Sequence, residues 1–219
     1  MKTQGSPTRA QRAFAADPAR TIAPAAEWRL ISLLFERPRA GWHAEVAALA
    51  REVHDPELGA AAEAARTAGE GEFLSVLGPG GRVSPREVAY RSFEDPGQIL
   101  AALSAVYGAF AYQPRAEDPL DHVAVEAGFV GYLLLKEAFA AAGGQRKAAA
   151  MAAVTRSDFL QTHLAPLAAP LAERLQAAGP AYLAAVARVL AARLPAPAPV
   201  VTDTAQPDDN PACGACAKI

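Results

Sequence analysis

The stretch that most constrains the fold is residues 120–142, where Phe129, Val130, Tyr132, Leu133, Leu134 and Phe139 make a helical segment apolar on nearly every side. A helix without a polar face has to be surrounded by other elements. Its start, Glu117-Asp118-Pro119-Leu120-Asp121-His122-Val123-Ala124-Val125-Glu126, is polar. Asp118 before Pro119 reads as a helix-start signal, which places His122 and Glu126 four residues apart on one helical face. The expectation is a central helix with a polar cluster at the mouth of the core.

Punctuation divides the rest into helices. The expected spans are Ala25 to Glu36, Trp42 to Val53, Pro56 to Thr67, Pro96 to Tyr112, Leu120 to Ala142, 145–164, Leu167 to Ala178 and Pro180 to Leu194. Pro166 and Pro170 are expected to break the chain between two of them. A short turn at Glu72 to Leu77 precedes Gly78-Pro79-Gly80-Gly81, which reads as a connection, because no Lys-Ser/Thr follows it and no strand precedes it. Ser84-Pro85-Arg86-Glu87 has capping-box spacing, and Asp95 reads as a helix cap. Helices joined by short loops, with no alternating strand pattern, give an all-α single-domain bundle over residues 25–194. Residues 1–24 are expected to be a disordered N-terminal segment, and 195–219 a proline-rich acidic tail.

A hydrophobic share of 52% in 219 residues suffices for a substantial core, and a net charge of −2 argues against a general nucleic-acid binder. No apolar run reaches the length of a membrane span, and residues 1–24 show no export signal, so a cytoplasmic location is expected. The two cysteines, Cys213 and Cys216, form a Cys-x-x-Cys pair in the tail. Such a pair is either a redox dithiol or half of a metal site, and the chain offers neither a βαβ context nor two obvious further ligands. His122, Glu126 and His163 are together chemically competent to hold a metal, although a hydrogen-bonded histidine–carboxylate pair is the plainer reading.

Asp121-His122 with Glu126 and Phe129 resembles the Asp-His-x-x-x-Glu signature of the TorD/DmsD/NarJ family of cytoplasmic molybdoenzyme maturation chaperones, with Leu120 where the family has proline. Phe159-Leu160-Gln161-Thr162-His163-Leu164 resembles a second family block, with Leu167 in place of its tryptophan, and Leu30 to Pro38 resembles the first family helix. The resemblance implies a non-enzymatic chaperone, with no cofactor of its own. Its expected partners are the catalytic subunit of a molybdenum oxidoreductase, that subunit's N-terminal twin-arginine signal segment, and the cofactor-insertion machinery. It also implies a client site at Glu117, Asp118, Asp121, His122, Glu126, Phe129 and His163, where carboxylates would meet arginines and an apolar groove would take the hydrophobic run. Tyr107, Phe110 and Tyr112 are candidate groove walls or ordinary core. Two alternatives are a thiol-based metal or cofactor handler using Cys213 and Cys216, and a helical metalloenzyme using His122, Glu126 and His163.

Overall fold

The computed structural model describes residues 18–114 and 118–194, with side chains from Ile22 onward. Among these residues the chain is all-α, with no strand. The helices are α1 Pro18–Leu34, α2 Trp42–Ala50, α3 Pro56–Ala64, α4 Glu70–Leu77, α5 Pro96–Ala109, α6 Val123–Ala142, α7 Arg146–Phe159, α8 Ala165–Ala178 and α9 Ala181–Ala192. Short 3₁₀ turns lie at Ala65–Thr67 and Glu87–Tyr90.

The central helix is α6, packed mainly between α1 and α7. Ala127, Phe129, Val130 and Leu133 are fully enclosed. The α1 crossing is close because α6 offers glycines there. A Cβ at Gly128 would sit 2.7 Å from the Tyr112 hydroxyl and 3.1 Å from Ser32 Oγ, and one at Gly131 would sit 3.2 Å from the Ala25 carbonyl. Leu30, Ile31, Leu33, Leu34 and Phe35 supply the facing core. Trp42 closes the end of α1, its indole N–H donating to the Leu33 carbonyl at 2.8 Å.

Several boundaries differ from those expected. Helix α1 begins at Pro18 and runs through Pro24, so residues 18–24 belong to a helix rather than to an unstructured segment. The segment expected as a turn before the glycine loop is a helix, α4. Asp55 and Asp95 cap α3 and α5 as N-terminal carboxylates, Asp95 accepting from Gly97 N at 2.7 Å. The sharpest difference lies at Pro166, where the expected break is absent. Helices α7 and α8 are joined by a π-helical turn, Leu160–Leu164, and Pro170 lies inside α8. In α-helical register the Pro166 ring would collide with the Thr162 carbonyl and withhold its donor. One wider turn, with Ala165 N bonding back to Leu160 O, keeps the helix continuous and leaves the Thr162 carbonyl to another partner.

Candidate functional site

Helix α6 starts at Val123, later than Asp118-Pro119 implies, because the preceding backbone is already engaged. His122 N donates to Pro119 O at 3.0 Å and Val123 N to Pro85 O at 2.9 Å, while Asp121 O accepts from Glu87 N at 2.9 Å. These bonds hold 120–122 outside the helix against residues 85–87 and turn the Asp121 side chain inward. His122 becomes the N-cap, its Nδ1 accepting from Ala124 N at 3.1 Å. The ring therefore serves its own helix terminus and does not pair with Glu126. Burial depresses its pKa, against the raising influence of Asp118 and Asp121. A neutral ring is also what the cap requires, since a protonated Nδ1 cannot accept.

Asp121 is completely buried, and Arg86 Nε donates to both its oxygens, at 2.9 and 3.2 Å. Val88 N adds a longer bond at 3.4 Å. Its partner is thus inside the molecule, and neither the helix dipole nor an external arginine is needed to account for it. Glu126 is also fully enclosed, and among the described residues neither of its oxygens has a hydrogen-bond partner of the ordinary donor–acceptor kind. Next to it, the buried Glu87 carboxylate accepts from His163 Nδ1 at 3.0 Å and from Arg91. The pair is satisfied when Glu126 keeps a proton and donates it to Glu87. Burial, with Glu87 and Asp121 close by, pushes the Glu126 pKa well above the usual carboxylate range. Arg91 reaches from Glu87 to the Thr162 carbonyl at 2.8 Å, the acceptor that Pro166 cannot serve.

Beneath this cluster the aromatic rings of Tyr107, Phe129, Phe159 and His163 pack in series, edge-to-face at Tyr107–Phe129 and Phe129–Phe159 with centroids 4.8 and 4.9 Å apart, and tilted at Phe159–His163 with centroids 4.8 Å apart. Phe129 is core rather than groove wall. The buried group therefore unites Asp121, Glu126 and His163 around Glu87. The sequence reading missed that residue, having given Glu87 only the spacing of a capping box with Ser84. An isolated acid in a segment without periodicity carries no local sign that it will be enclosed by residues 39 and 76 positions away in sequence.

A separate cleft of about 1100 Å³ opens on the other side of His122. Its walls come from α1, the Gly78–Arg86 segment, Tyr112 to Pro114, and the face of α6 that carries Val125, Gly128, Tyr132 and Leu135. Among the described residues the carboxylates lining it are Glu36 and Asp118. Glu36 is held by Arg29 at 2.6 Å and Arg39 at 2.9 Å. Of the expected client-binding residues, Asp118 and His122 line the cleft, whereas Asp121, Glu126, Phe129 and His163 do not, and Glu117 lies outside the described residues. Cys213 and Cys216 also lie outside them. Among the described residues no three of His, Cys, Asp or Glu are arranged to hold a metal ion, so His122, Glu126 and His163 do not form the centre that the metalloenzyme alternative requires. No helix among them is long and apolar enough to cross a membrane.

A family model described as nitrate reductase delta subunit matches residues 35–173. That span runs from the end of α1 into α8 and includes the cleft face of α6, the buried carboxyl pair and the π-turn. Comparisons with curated proteins and with solved structures gave no match.

Proposed function

Because the chain belongs to the nitrate reductase delta subunit family, the NarJ/TorD-type molybdoenzyme maturation chaperones, we propose that it binds the N-terminal, signal-bearing segment of a molybdenum oxidoreductase catalytic subunit in the cleft beside α6. It would hold that segment in the cytoplasm while the cofactor is inserted, and would itself catalyse nothing. The observation that carries this reading is the apolar stripe of α6. Val125, Gly128, Tyr132, Leu135 and Phe139 recur at alternating spacings of three and four, line the cleft as far as Leu135, and emerge at Phe139, which is 76% exposed. A stripe of that period suits an amphipathic helix laid alongside.

Charge plays a smaller part than the polar motif alone implies. Glu36 already serves two arginines, so among the described residues a client arginine has Asp118 as the remaining carboxylate of the cleft and must otherwise exchange into an existing network. Capture from native cytosol on the full chain, followed by mass spectrometry, identifies the client. Calorimetry with the client's N-terminal peptide then measures the site. Binding should survive raised salt with modest weakening and show a negative heat-capacity change. Tyr132→Ala or Leu135→Glu should weaken it at least about tenfold, the scale of a truncated interface anchor. Full affinity in both variants would remove the cleft from the mechanism.

A further inference from the structure

Between Val83 and Ile99 no hydrophobic side chain belongs to the buried core; Val88 and Tyr90 are half-buried and Phe93 stands fully in solvent. Val88 and Tyr90 pack only against the edge of the core and Pro85 is enclosed, and the remaining ties of this stretch to the helical body are polar. On one side Glu87 N and Asp121 O, and Val123 N and Pro85 O, form a backbone bridge at 2.9 Å each, reinforced by Arg86 on the Asp121 carboxylate. On the other side Arg91 clasps the Thr162 carbonyl at 2.8 Å, and His163 holds Glu87 at 3.0 Å. Tyr90 completes the set by lying under the Arg174 guanidinium of α8, 4.8 Å from ring to cation. Water can replace hydrogen bonds and ion pairs one for one, whereas it cannot replace the apolar packing that binds α1, α6 and α7 together. The N-terminal part of this stretch, Ser84, Pro85 and Arg86, is also a wall of the cleft.

We propose that residues 84–94 form a strap that detaches as a unit from the folded helical body, and that its detachment opens the cleft along the wall it provides. Arg91 is the clasp, because it bridges the strap's buried carboxylate and the Thr162 carbonyl of the π-turn, beside the direct contact of His163 with Glu87. The proposal stands apart from the identity of any client, since strap and cleft wall are the same piece of chain.

Native-state hydrogen exchange on the full-length protein tests the first half. The strap-dependent amides of Glu87, Val88 and Val123 should exchange at least about a hundredfold faster than those of Leu133 and Leu134 in α6, by an opening insensitive to low denaturant. Arg91→Ala should speed the strap amides by roughly another tenfold and leave Leu133, Leu134 and α9 unchanged, with Arg91→Lys in between, because an ammonium can still reach Glu87 and Thr162 but loses the forked contact with Glu94 that orients the side chain. Arg174→Ala, at an exposed position, supplies a milder variant with the same expected direction. Strap amides that exchange only with global unfolding would overturn the detachment. For the gate, Ser84→Cys is placed in a chain with Cys213 and Cys216 changed to serine, and labelling by a small thiol reagent is timed. Faster labelling on adding Arg91→Ala supports the gate, and an unchanged rate alongside faster strap exchange refutes it.

Discussion

Removing Arg86 and removing Asp121 are different experiments, because the carboxylate is wholly buried whereas the guanidinium side chain is 39% exposed. Arg86→Ala strands a buried charge and should cost about 3–5 kcal/mol. Asp121→Ala lets Arg86 turn to water and leaves mainly an unpaired Val88 N–H, so about 1–3 kcal/mol is expected. Chemical denaturation of both variants checks the order, and equal losses would show that the pair does not carry the asymmetry its burial implies. His122 gives a pH dependence of known sign. Its pKa is lowered in the folded protein, so the folded state binds fewer protons than the unfolded one. Stability is therefore fully present above the unfolded value of about 6.5 and declines as pH falls from there towards the folded value. His122→Asn keeps an N-cap acceptor and cannot titrate, so its unfolding midpoint should be flatter between about pH 7 and pH 5. At this scale the sequence pointed to Asp121, His122, Glu126 and His163 but not to what each touches. A cap, an internal ion pair and a protonated acid all look alike as polar letters at the head of an apolar run.

Among the elements, α6 and its neighbours were legible because their apolar period and their glycine and aspartate terminators are local. The rod formed by α7, the π-turn and α8 was not. A proline's missing donor and its steric clash argue for a break only if the helix must keep its register, and the wider turn at Leu160–Leu164 removes that condition. The start of α6 was misplaced for a tertiary reason: residues 85–87 take hydrogen bonds that the first turn would otherwise have used. The α1–α6 crossing yields a direct test. Gly128→Ala brings a methyl group within 2.7 Å of the Tyr112 hydroxyl and 3.1 Å of Ser32 Oγ, so it should destabilise by about 1–3 kcal/mol despite alanine's better helix propensity. Adding Tyr112→Phe deletes the nearest obstacle and should recover part of that loss in thermal unfolding. If Gly128→Ala instead raises the midpoint, the crossing is looser than described.

For the molecule as a whole, an all-α body was readable from composition and punctuation, while the separation of a buried acid cluster from an open cleft was not, since both share one helix end. The tail offers a whole-chain test. A protein ending at Leu194 retains the ion pair of Arg193 with Glu27 at 2.7 Å and should keep client capture, whereas loss of capture in a Cys213→Ser, Cys216→Ser variant would favour the thiol handler. The carboxyl pair has a further consequence, one for the calorimeter. In the unfolded chain Glu126 ionises as an ordinary glutamate, and in the folded one it retains its hydrogen. Between those two pKa values folding must draw a proton from solution, so the apparent folding enthalpy should vary with the ionisation heat of the buffer. Glu126→Gln, which brings its own hydrogen, should remove that uptake and leave the opposite contribution of His122, which releases protons on folding below about pH 6.5.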